Sequence, residues 1–170
     1  MAMQAEHEPD NWEALADLPD EGRQRELRRL YEALVPLGEA ERRAKAEGFI
    51  RREYALSEEK LLTVTRSRLL AWLDMEPGAA KTVATSYSLV MQTMPGSIAM
   101  RRVSVVQTVS LGMTTAQIDG LYKLIPAVIS QIPRVARSEQ TTPPMATPAP
   151  AMSGRARTEQ RRGWAFWRRG

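Results

Sequence analysis

The chain has no cysteine and a single histidine, His7. Disulfides, thiolate metal sites and thiol nucleophiles are thereby excluded, and one imidazole cannot assemble the usual zinc, copper or haem ligand sets. Neither a glycine-rich phosphate loop nor a nucleophile elbow is present. Carboxylate pairs do occur, Glu58 with Glu59 and Asp74 with Glu76, at expected helix ends where they complement the helix dipole. The expectation is a protein that is not an enzyme, with no catalytic residue, no metal and no cofactor. The first 21 residues lack lysine and arginine while carrying seven acids, the reverse of a signal peptide, so a cytoplasmic location is expected. Residues 82 to 100 carry no charge, a length that could span a membrane. Thr82, Thr85, Ser86, Ser88, Gln92, Thr93 and Ser97, with Pro95-Gly96 beside them, would find no polar partners in hydrocarbon, and a buried helix is expected instead.

What is present divides into four segments: an acidic, disordered leader over 1–21, a helical domain over 22–137, a Pro/Ser/Thr-rich linker over 138–160, and a basic-aromatic tail over 161–170. The leader carries −7; residues 22 to 60 carry ten bases and eight acids, residues 61 to 137 eight and three, residues 138 to 170 six and two. A front-to-back gradient of this kind favours an anionic partner for the C-terminal part, either lipid headgroups or nucleic acid.

The domain reads as all-α, a small bundle of four to six helices. Leu27, Leu30, Tyr31 and Leu34 repeat at i, i+3, i+4, i+7, a narrow apolar stripe ended by Pro36 and Gly38. Residues 39 to 54 alternate charge blocks with few large apolar groups and are expected as a solvent-facing helix laced by ion pairs. Ser57 is a plausible N-cap for a core helix running to about Met75, stopped by Pro77-Gly78. A further helix over 79 to 94 buries Val83, Tyr87, Val90 and Met94. From 97 to 111 the valines raise a strand reading, but Ile98, Arg102, Val105 and Val109 keep helical spacing and no partner strand is in view, so helix is chosen. Only five ionised groups fall between 79 and 133, so apolar a stretch that self-association into a homo-oligomer is expected.

Thr114 and Gln117 form a capping-box pair after Gly112, which is placed to leave the preceding helix with positive φ. With Leu111, Met113, Ile118 and Leu121 as apolar positions, residues 105 to 124 resemble the helix-turn-helix family of DNA-binding modules. That resemblance implies a DNA-associated regulator using Arg101, Arg102, Thr114, Thr115, Gln117 and Lys123. Gln107 and Thr108 depart from the family pattern, and the second helix has no arginine to read guanine.

The tail carries the main functional expectation. At about 100° per residue, Trp164, Phe166 and Trp167 fall on one half of a helical wheel and Arg161, Arg162, Arg168 and Arg169 on the other. In size and placement these residues resemble the C-terminal membrane-targeting helices of bacterial division-site proteins of the MinD and FtsA type, which implies peripheral attachment to an anionic membrane surface. Each arginine near an anionic leaflet contributes about 1 kcal/mol, and each partly inserted aromatic at most about 1.5–3 kcal/mol. Ordering the segment costs on the order of 8–12 kcal/mol. One tail therefore binds marginally, and two on an oligomer bind better through effective concentration. The same residues could bind nucleic acid through phosphate pairing and base stacking, or dock in a protein groove. The resulting expectation is a non-catalytic scaffold or adaptor with an anionic membrane surface, an unidentified protein partner or a second copy as its partners.

Overall fold

The structure, a computed structural model, describes residues 11 to 130. The chain divides into two units, residues 1–134 and 135–170, and every described residue belongs to the first. Eight helices follow one another: α1 (Trp12–Ala16), α2 (Asp20–Glu32), α3 (Glu39–Ala55), α4 (Glu58–Asp74), α5 (Pro77–Thr93), α6 (Gly96–Ser110), α7 (Thr115–Leu124) and α8 (Pro126–Ile129). Among the described residues there is no strand, and the valine-rich segment is helical, as its spacing predicts. The leader and linker beyond these limits lie outside the described residues.

Asp20, Glu39, Glu58, Pro77, Gly96 and Thr115 open six successive helices, and each opens 19 residues after the one before. Three of the five turns between them share a conformation. Leu56, Met75 and Met94 end three of the helices with φ/ψ of −66/158, −76/161 and −73/156, and Ser57, Glu76 and Pro95 then cap the next with φ near −55 and ψ of 160, 135 and 140. Two consecutive extended residues redirect the chain without a positive φ, so no glycine is required. Gly112, in the different turn between α6 and α7, also does not take the left-handed conformation expected of it.

Helices two apart in sequence lie side by side: α2 on α4 and α4 on α6 in one row, α3 on α5 and α5 on α7 in the other. The interval extends to atomic detail. Arg23 donates through Nε to Ser67 Oγ (2.8 Å) and through Nη1 to the carbonyls of Ala16 and Leu18 (2.8 and 2.6 Å). Arg42, 19 residues on, donates through Nε to Ser86 Oγ (2.9 Å) and through Nη1 to the carbonyls of Val35 and Leu37 (3.2 and 2.8 Å). Each guanidinium thus ties the preceding turn to the helix two places along, satisfying carbonyls that helix geometry leaves open. The unit is a short repeat array in which each helix contacts near neighbours in the series.

Three expectations are corrected. Residues 11–21, assigned to a disordered leader, fold as α1 and the start of α2: Trp12, Leu15 and Ala16 are buried, the Trp12 ring packs 5.6 Å from Phe49, and Lys60 pairs with Glu13 and Asp17 at 2.7 and 2.9 Å. Two large apolar groups in this otherwise acidic stretch suffice to seat it. Helix α3 is not solvent-facing, since Ala46, Phe49, Ile50, Glu53 and Tyr54 are buried in its second half. The described residues also hold eight helices where four to six were expected, because short α1 and α8 flank the six regular ones. The buried stripe of α2 and the Val83, Tyr87, Val90 and Met94 set of α5 are as expected.

Rings cross the core in sequence: Trp12 to Phe49, Phe49 to Tyr31 (5.8 Å), Tyr31 to Trp72 (5.6 Å) and Trp72 to Tyr87 (5.3 Å), tilted or edge-to-face as ring quadrupoles favour.

Candidate interaction surface

Two features of the array invite a functional reading, a buried charge cluster at its centre and an exposed face at its C-terminal end. At the centre, Glu53 on α3 is fully buried and accepts from Thr65 Oγ1 (2.9 Å), Arg68 Nη1 (2.9 Å) and Tyr87 Oη (2.7 Å). The Arg68 guanidinium lies over the Tyr87 and Trp72 rings, 4.4 and 5.2 Å from their centroids. Burial alone would pull the Arg68 pKa down, but Glu53 and the surrounding tyrosines hold it above its ordinary value. Burial, with Glu53 adding to it, pushes Tyr31 and Tyr87 up and raises Tyr54 to about 12. Glu53, Thr65, Arg68 and Tyr87 are all buried, on α3, α4 and α5. Sequence reading missed this cluster because Glu53 and Arg68 sit in charge-rich segments that look solvated.

The array's end is defined by comparing residues 19 apart. Leu27, Ala46, Thr65 and Ala84 are all buried, Val103 at the same place in α6 is half-buried, and Tyr122 in α7 is 45% exposed. Two repeats apart, Leu62 and Leu73 on α4 pack against the core, and a Cβ at Gly120 of α7 would stand 2.7 Å from Leu73 Cδ2, so close is the cover. Their counterparts on α6, Met100 and Leu111, are 74% and 73% exposed. They are eleven residues apart, close to three whole turns, so Leu111, just past the end of α6, continues the face of Met100, with Ser104 and Gln107 between them. Among residues 96–130, the exposed ionised groups are Asp119 and Lys123.

The residues suggested for DNA contact lie on α6, on α7 and in the turn between them. Arg102 is buried 5.7 Å from the Tyr87 ring centroid and reaches Ser88 Oγ (3.3 Å), with burial lowering its pKa, so it is corrected from a contact residue to a core one. Arg101 binds the Tyr54 carbonyl (3.1 Å) and Glu58 (2.9 Å). Thr114 and Gln117 complete the capping box, each side chain accepting from the other's backbone N–H, at 3.3 and 2.9 Å. Thr115 opens α7, and Lys123 is exposed in its last turn. Leu111 is exposed, and it ends α6 in the right-handed helical region, unlike the extended residues that end α3, α4 and α5. The tail residues Arg161, Arg162, Trp164, Phe166, Trp167, Arg168 and Arg169, and His7, lie outside the described residues.

Of the carboxylate pairs, Glu76 caps the Ala79 N–H (2.8 Å), its pKa held down by backbone bonds from Gly78 and Ala79, while Asp74 accepts from Gln24. Among the described residues no three histidine, cysteine or acidic side chains gather as a metal site, and no helix is long and apolar enough to cross a membrane. No protein-family model, curated protein or solved structure matches the chain.

Proposed function

We propose that this chain is a non-catalytic scaffold or adaptor. Its helical array binds a protein partner or a second copy, and Arg161, Arg162, Trp164, Phe166, Trp167, Arg168 and Arg169 attach it reversibly to an anionic membrane surface. The observation that carries the scaffold reading is the 19-residue register, because a row of helices that adds one unit at a time presents an extended surface. The central charges are engaged with one another, which supports a structural role for them. The membrane reading draws its support from the wheel of the final ten residues, rings opposed to guanidiniums.

Co-sedimentation of the full chain with vesicles containing phosphatidylserine, and with neutral vesicles, tests the attachment. Binding to the anionic vesicles that falls at least about tenfold in a Trp164→Glu/Trp167→Glu variant is the expected result. Equal binding to both vesicle types, or no change in the variant, contradicts it.

A further inference from the structure

We propose that the groove between α3 and α5 is a binding site for a carboxylate, held by Arg42 and Lys81. The inference deepens the scaffold reading by naming a chemistry through which the array takes its partner, and it stands apart from the lipid reading of the tail.

The two guanidinium clamps are alike in three contacts and differ in the fourth. Arg23 and Arg42 each donate through Nε to a serine on the helix two places along and through Nη1 to two carbonyls of the preceding turn. Nη2 of Arg23 pairs in addition with Asp20, at the start of α2. Glu39 has the place of Asp20 at the start of α3, but its carboxylate pairs one residue further on, with Arg43. The Nη2 edge that Asp20 holds in the first clamp is thus not held by Glu39 in the second, and Arg42 lines an open groove. Exposure differs in the same sense, since Arg23 is buried and Arg42 half-buried.

The groove has a volume of about 390 Å³ and lies between the start of α3 and the wall that α5 presents to it. Lys81 stands exposed on that wall, and no acidic side chain pairs with it among the described residues. Thr85, also exposed, supplies a hydroxyl, and half-buried Leu89 adds apolar surface. Two cations therefore stand against one acid, Glu39, which Arg43 already neutralises. The first turn of α5 takes no part, because its Ala79 N–H is already donated to Glu76 at 2.8 Å, so the groups that attract an anion are side chains. A guanidinium edge and an ammonium suit a carboxylate, whose two oxygens accept charge-assisted hydrogen bonds. The first clamp uses that same group, from Asp20, in the equivalent place. Both cations are at least partly solvated, so one carboxylate binds weakly, as one contact of a larger interface would.

Amide NMR spectra of the isotope-labelled full chain at neutral pH, titrated with sodium acetate against sodium chloride at equal ionic strength, test the site. Acetate should move the signals of Thr82, Thr85 and Ser86 and the Arg42 Nε–H along saturable curves, and chloride should not. Lys81→Glu, at an exposed position, should weaken acetate binding about fivefold or more while the rest of the spectrum is unchanged. N-acetylglutamate amide reports the source of the carboxylate: tighter binding than acetate identifies an acidic side chain of a protein partner, and binding no tighter identifies a small free carboxylate. Shifts that do not saturate, that chloride reproduces, or that Lys81→Glu leaves unchanged overturn the proposal. Saturation that appears only in a Glu39→Gln variant also overturns it, because Glu39 then fills the fourth place on Arg42 itself. Binding of inorganic phosphate in place of both carboxylates overturns the choice of ligand. Acetate shifts as described in a chain that fails to bind anionic vesicles leave this inference standing and remove the lipid reading alone.

Discussion

At the α2 end of the array, Glu26 and Arg29 stand where the interior helices carry Val64, Ser67, Val83 and Ser86; at the α6 end, Met100 and Leu111 stand bare where Leu62 and Leu73 are covered. The polar bias of the first half continues inward. Arg23 and Arg42 brace their turns through carbonyls and a serine, whereas the same places in later helices hold Leu61, Ala80, Ala99 and Ile118. One place in the register therefore accommodates two ways of joining helices, a guanidinium clamp in α2 and α3 and an apolar side chain from α4 onward. A repeat interval constrains where helices begin and leaves open what fastens them.

Substitutions at the two ends should consequently behave differently, and those at the shared centre should cost most. Arg68→Met leaves the Glu53 carboxylate buried without its cation and should lower stability by about 3–5 kcal/mol, read from urea unfolding. Trp12→Ala, which empties the seat of α1 between α3 and α4, should cost a similar amount, about 3–5 kcal/mol by the same measurement. If it costs under about 0.5 kcal/mol, as expected of an exposed leader, the closed first end is refuted. Raising the pH acts on the centre. Tyr31, Tyr54 and Tyr87 have folded pKa values above the unfolded value near 10, so the folded state holds their protons more tightly. Their contribution is fully present below pH 10 and is lost as pH rises from about 10 to 12, the value to which Tyr54 is raised. A urea midpoint that stays level from pH 7 to about 9 and then falls is expected, and a level midpoint through pH 12 contradicts it. Ser57→Ala removes the cap bonded to the Lys60 N–H and should cost about 1 kcal/mol in thermal unfolding. Smallest of all, Met100→Gln with Leu111→Gln should change monomer stability by under about 0.5 kcal/mol in dilute solution, in contrast with Trp12 at the other end.

The individual helices were legible in the sequence because each has its own signal: the Leu27 to Leu34 stripe, the Ser57 cap, the prolines at 77 and 95, and the Thr114–Gln117 box. Their equal spacing was harder to see. The shared place in each repeat is held by Leu34, Glu53, Trp72, Met91, Ser110 and Ile129, all buried yet chemically unlike, so the interval survives while residue identity does not. The turns from α3 to α6 add no glycine at a positive φ, since the extended pairs Leu56-Ser57, Met75-Glu76 and Met94-Pro95 make them. Helix α3 misled because its apolar groups cluster after Ala46 behind a charged first half. At the candidate surface, the low charge after residue 79 gave a correct sense of an apolar region, but it could not distinguish buried Val105 from exposed Leu111. That distinction depends on which helices cover which face, a property of the stacked array.

Amide hydrogen exchange resolved along the chain tests the repeat register most directly. Six protected blocks beginning near residues 20, 39, 58, 77, 96 and 115, separated by fast exchange at the turns, are expected from the helix starts. Protection that continues through residues 56–57 and 94–95, or blocks spaced at unequal intervals, would contradict the 19-residue array.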